Sequence, residues 1–150
     1  MVLLAGLTIA IAAIFVTAIA ILYFYKLESV STKRLHELNQ LSNKIIYHDE
    51  VLSMSARLGM YRTSPKWRER YDEHAELLDK ALLSAMELGP QITEPLYKTS
   101  QLNVRLIELE TQAFELADKG YRQEAVTLLF SESYGVLKAE YAAGIRAALE

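Results

Sequence analysis

The chain has 150 residues, 51% of them hydrophobic, and a formal net charge of −3. It contains no cysteine, which excludes disulfides, thiolate catalysis, zinc–thiolate sites and c-type haem attachment. Six glycines and three prolines are few for the turns of a β protein, and a mildly acidic balance without a basic block argues against a nucleic-acid partner.

Val2 to Tyr25 is an uncharged stretch of 24 residues. As a helix it is about 36 Å long, enough to cross a bilayer with some tilt. Tyr23, Phe24 and Tyr25 stand directly before Lys26, where an aromatic belt meets headgroups. A cleaved signal peptide fits less well: there is no basic n-region, and Ala18-Ile19-Ala20 runs on into further apolar residues. A transmembrane helix over 2–25 is therefore expected. Lys26, Lys33 and Arg34 follow it, so a bare positive-inside count places the rest of the chain in the cytoplasm, but the preceding flank is too short to weigh against them.

No Gly or Pro occurs between residues 7 and 58, so the first helix is expected to run on over 26–62. Leu27, Leu38, Leu41, Ile45, Leu52 and Gly59 recur along it at three- and four-residue steps, with Ser31, Arg34, His48 and Ser55 filling the gaps. That spacing is a bundle or coiled-coil seam. Ser64 as N-cap and Pro65 at the first helical position open a second helix over 65–88, which stops at Gly89-Pro90. Its seam is Trp67, Tyr71, His74, Leu78, Ala81, Ala85 and Leu88.

Gln91 to Lys98 contains Pro95 and no clear period, and reads as a loop. Thr99 or Ser100 then caps a third helix over 100–119, with Leu102, Leu106, Leu109, Ala113 and Leu116 on one face and Asn103 and Glu110 beside it. A last helical region over 122–150 breaks near 131, where Ser131 can cap the second part, and carries Tyr134, Leu137, Tyr141, Ile145 and Ala148 at bundle spacing. Its pattern reaches Glu150 without a stop signal, so a continuation into a longer protein is expected. Glu115 to Leu129 looks like one helix-turn-helix of a tetratricopeptide repeat, but no second copy follows at that period. The expected fold is all-α: an N-terminal transmembrane helix continuing into an up-down four-helix bundle over 26–150.

Familiar chemistry is missing. Residues three before His36, His48 and His74 are Lys33, Ile45 and Tyr71, so the Glu-x-x-His of di-iron bundles is absent. No phosphate-binding loop, dinucleotide fingerprint or nucleophile elbow occurs. His48 and His74 can meet across two helices but lack an obvious third ligand. Neither an enzyme, a cofactor nor a metal site is expected.

What stands out is a polar band in an otherwise apolar seam: Asp49, Glu50, Ser53 and Arg57 occupy about two turns of the first helix. Asp49 and Ser53 are i,i+4, Glu50 and Arg57 are i,i+7, and Trp67, Tyr71 and Asn103 can face them from the next two helices. One reading is a ligand-binding pocket made of these seven residues, in which Arg57 and Arg62 take an anion, Tyr71 and Asn103 orient it, and Asp49 and Glu50 suit an amine or cation instead. The other reading is surface ion pairs and a single buried polar layer that fixes bundle register.

Tyr47-x-Asp49-Glu50-x-Leu52-Ser53-Met54-Ser55-Ala56-Arg57, a second helix led by Trp67, Asn103-x-x-Leu106-x-x-Leu109-Glu110, and Ala125-x-x-Leu128-Leu129-Phe130-Ser131 together resemble an all-helical extracytoplasmic sensor region. Such regions stand at the N-terminus of bacterial transmembrane histidine kinases, cyclases and chemoreceptors. The resemblance covers nearly the whole chain after the apolar segment and says nothing about the ligand. It implies a module anchored in a bacterial inner membrane by one span, with a periplasmic bundle that forms a homodimer. That module would bind a small polar ligand or a periplasmic protein, and would relay a shift of its first helix through the membrane. The alternative is a single-pass structural or assembly subunit whose bundle docks a partner protein.

Overall fold

The structure, a computed structural model, describes residues 2–61 and 64–149; of residues 2–13 and 30 it describes the backbone alone. Among the described residues the chain is all-helical, with five helices: α1 (Val2–Tyr61), α2 (Pro65–Met86), α3 (Pro90–Asp118), α4 (Arg122–Leu129) and α5 (Glu132–Leu149). The chain divides into two compact units, Met1–Glu37 and Leu38–Glu150.

In the first unit every described side chain is exposed, including Ile14, Phe15, Ile19, Leu22 and Phe24. The part of α1 that begins at Ile14 contains a window apolar and long enough to cross a membrane, by length and composition. Leu27, Ser31 and Arg34 are exposed here, so the expected seam does not extend this far. The physical reason is the absence of a neighbouring helix within this unit, which leaves the apolar positions nothing to pack against.

In the second unit the seam is real. Leu41, Ile45, Leu52, Ser55 and Gly59 of α1 are buried, joined by Asp49, Val51, Ser53, Ala56 and Met60, so α1 is covered over more than one stripe. Tyr71, Leu78, Ala81 and Ala85 carry the buried face of α2, as their spacing predicts, and Tyr134, Tyr141, Ile145 and Ala148 that of α5. The α3 helix packs against α2, α4 and α5. Gly59 of α1 lies against Phe114 of α3, so close that a Cβ there would run into the Phe114 ring.

One expected element is corrected. Gln91 to Lys98 is not a loop but the first part of α3, which starts at Pro90. Gly89, at φ 136°, makes the turn that only glycine takes easily, and Pro90 sits at the start of the helix where its missing N–H costs nothing. The Thr93 hydroxyl donates to the carbonyls of Met86, at 2.9 Å, and Gly89, at 3.1 Å, tying the end of α2 to the start of α3. Pro95 has no N–H to give the preceding turn, yet the helix continues because Ile92, Leu96 and Thr99 are buried at four- and three-residue steps. The same stripe runs on through Asn103, Leu106, Glu110, Ala113 and Ala117. Its centre is therefore the line through Asn103 and Glu110, which the apolar pattern placed at the edge.

At the other end of α3, Gly120 adopts φ 89°. Tyr121 N–H bonds the Leu116 carbonyl at 2.8 Å and Gly120 N–H that of Ala117 at 3.0 Å, a Schellman ending that sends the chain into α4. Ser131 caps α5 as expected, accepting from Tyr134 N–H at 3.2 Å.

Candidate functional site: a buried carboxyl centre

The polar centre of the second unit is Glu110, 1% exposed, on α3. Three hydroxyl groups from three other helices converge on it. Ser53 of α1 donates to Oε1 at 2.9 Å, Tyr71 of α2 to Oε2 at 2.8 Å, and Tyr134 of α5 to Oε1 at 2.5 Å. The Tyr134 hydroxyl also lies 3.0 Å from Ser53 Oγ, which closes the network. A buried carboxyl costs about 3–5 kcal/mol when it loses its partners, and here both oxygens accept, Oε1 from two hydroxyls and Oε2 from one. Burial first, and then the neighbouring Glu110, push the Tyr71 and Tyr134 phenols well above the usual tyrosine range, so both stay protonated donors.

Asp49, one helical turn before Ser53, forms a second pair. Its carboxylate is 4% exposed and contacts the Lys138 ammonium of α5 through Oδ2. Glu50 is reached by the same ammonium at 3.5 Å but stands largely in solvent. Burial raises the Asp49 carboxyl to about 6, opposed by the charge and hydrogen bond of Lys138 and assisted by Glu110 and Glu50.

Arg57 sits one turn beyond Ser53. Its guanidinium lies 4.9 Å from the Phe130 ring centre and 5.6 Å from that of Tyr134, and one amino group donates to the Leu129 carbonyl at 3.4 Å. Its Nε is buried without a hydrogen-bond partner, as are the hydroxyls of Ser55 and Tyr141.

Of the seven residues expected from the sequence, the structure gathers Asp49, Ser53, Arg57 and Tyr71 around this centre. Glu50 and Arg57, seven residues apart on α1, both reach α5: Glu50 meets Lys138, and Arg57 meets Tyr134 together with the Phe130 ring at the end of α4. Asn103 is buried on the same face of α3 but takes no part in the hydrogen bonds to Glu110, and half-buried Trp67 lies outside them. Arg62 falls outside the described residues. Glu110, Tyr134 and Lys138 are the functional candidates that the sequence reading missed. Glu110 was legible as a charged residue on the buried stripe of α3, whereas Lys138 carries no local signal at all.

A cleft of about 270 Å³, lined by Gly59, Ser64, Pro65, Arg68, Phe114 and Asp118, lies apart from these groups. No protein-family model, curated protein or solved structure matches the chain.

Proposed function

We propose that the chain is the membrane-anchored, periplasmic sensor module of a signal-transduction receptor, with residues 38–150 as its helical bundle. The observation that supports this most is the double character of α1. One end of this helix is apolar enough to cross a bilayer, and the other contributes Asp49, Ser53 and Arg57 to a buried polar centre shared with α2, α3 and α5. A core built from hydroxyls and carboxyls has more than one hydrogen-bonded arrangement, so binding energy at its rim can favour one packing over another. The input is a small polar ligand or a periplasmic protein. The output is a displacement of α1.

A homodimer along α1 belongs to the same proposal. Tyr47, Met54 and Tyr61 recur at seven-residue steps and remain 58%, 50% and 59% exposed, an apolar line suited to a second copy of the same helix.

The test is a thermal-shift screen of the whole chain in nanodiscs against amino acids, organic acids and amines. The expected result is a compound that raises the melting temperature, with the gain lost in Asp49→Asn or Arg57→Ala. A flat screen on a cooperatively folding protein would overturn the small-ligand reading. It would favour the docking subunit, a reading that the internally satisfied Glu110 centre and the exposed α1 line also support.

A further inference from the structure

Outside the carboxyl centre, two histidines from different helices meet through their ring nitrogens. His48 Nδ1 of α1 and His74 Nδ1 of α2 are 2.9 Å apart, and both side chains are half-buried, within reach of an ion from solvent. Tyr47 packs against both rings, at 5.2 Å and 5.9 Å between ring centres, and the two imidazoles lie 5.0 Å apart. With no ion between them, one ring must donate its Nδ1 proton to the other.

We infer that His48 and His74 form a divalent transition-metal site, with Cu²⁺ the ion that the geometry fits best. Two nitrogens bound to one metal at about 2.0 Å and at a right angle stand about 2.8 Å apart, close to the 2.9 Å already present, so that each ring has only to turn its Nδ1 from the other nitrogen toward the ion. A tetrahedral Zn²⁺ at the same bond length needs about 3.3 Å and hence a small opening of the pair. Copper also heads the affinity order for nitrogen ligands, and imidazole suits it. On binding, each ring carries its remaining proton on Nε2 and gives the Nδ1 lone pair to the metal, so two neutral imidazoles need release no proton.

The surroundings agree with this in part and oppose it in part. Both rings are half-buried and packed by Tyr47, which holds their nitrogens close together for an ion. The nearby Lys44 ammonium repels a cation, but its exposed charge is screened by solvent. Among the described residues no three of His, Asp and Glu gather at one point, so water completes the coordination. Such a metal clips α1 to α2 on the flank of the apolar line that starts at Tyr47. The site does not depend on the sensor reading, because it is a property of two side chains and their spacing.

The experiment is a Cu²⁺ titration of the tag-free whole chain in nanodiscs, followed by calorimetry and electron paramagnetic resonance. The expected result is one Cu²⁺ per chain with nitrogen hyperfine structure from two imidazoles. His48→Gln or His74→Gln, which keep a polar group of similar size, should each weaken binding by about tenfold or more, and His36→Gln should leave it unchanged. Cu²⁺ should raise the melting temperature of the wild type but of neither pair variant. Unchanged affinity in the double His48→Gln/His74→Gln variant, or a spectrum without two imidazole nitrogens, would overturn the assignment. Circular dichroism of each variant separates a lost ligand from a lost fold.

Discussion

At the scale of single residues, Glu110 gathers hydroxyl groups from three other helices. Glu110→Ala would leave the Ser53, Tyr71 and Tyr134 hydroxyls without their acceptor. Urea denaturation should show a loss of about 3–5 kcal/mol. Tyr134→Phe removes one donor and leaves the others in place, so about 1–3 kcal/mol is expected, with a non-additive result when combined with Tyr71→Phe. Asp49 contributes a pH dependence of defined sign. Its carboxyl is raised to about 6 in the folded protein, above the unfolded carboxylate value of about 4, so the fold binds this proton more tightly. The stability it adds is complete below the lower value and is lost as pH rises through the upper one. The stability difference between wild type and Asp49→Asn should therefore change between pH 4.5 and pH 7 (about the span of the two values), with the wild type relatively weaker at the higher pH. A difference that does not vary with pH would rule out an uncharged, buried Asp49 in the acid range.

Among helices, what was legible in the sequence depended on how apolar each stripe is. The α2 and α5 faces are apolar or aromatic at three- and four-residue steps, and their spacing placed Tyr71, Leu78, Tyr134 and Tyr141 correctly. The α3 stripe contains Thr99, Asn103 and Glu110, so hydrophobicity alone shifted its apparent centre toward Leu102 and Leu109 and hid its first turns behind Pro95. The partners of a buried charge lie on other helices, which is why Asp49 was visible as a candidate while Lys138, 89 positions away, was not. Close helix packing gives a prediction of its own. Gly59→Ala places a methyl into the Phe114 ring, which is itself buried. The variant should lose about 1–3 kcal/mol of stability. Phe114→Leu, by removing the ring edge, should reduce the penalty of the added methyl in the double variant, and equal penalties in both backgrounds would show that the contact is not the cause.

For the molecule as a whole, α1 links a segment apolar and long enough to cross a membrane to a polar centre that ties four helices together. On the proposed sensor reading, a disturbance at Glu110 reaches the exposed line of α1. The chain has no cysteine, so a single introduced thiol reports one position without background. Oxidative cross-linking of Met54→Cys in native membranes is the most direct measurement, with exposed Val104→Cys on α3 as the control. The expected result is a covalent dimer through Met54→Cys and not through Val104→Cys, formed at a rate that changes when Glu110→Gln is added to a folded protein. No dimer at Met54→Cys, or one formed at the same rate with and without Glu110→Gln, would contradict it.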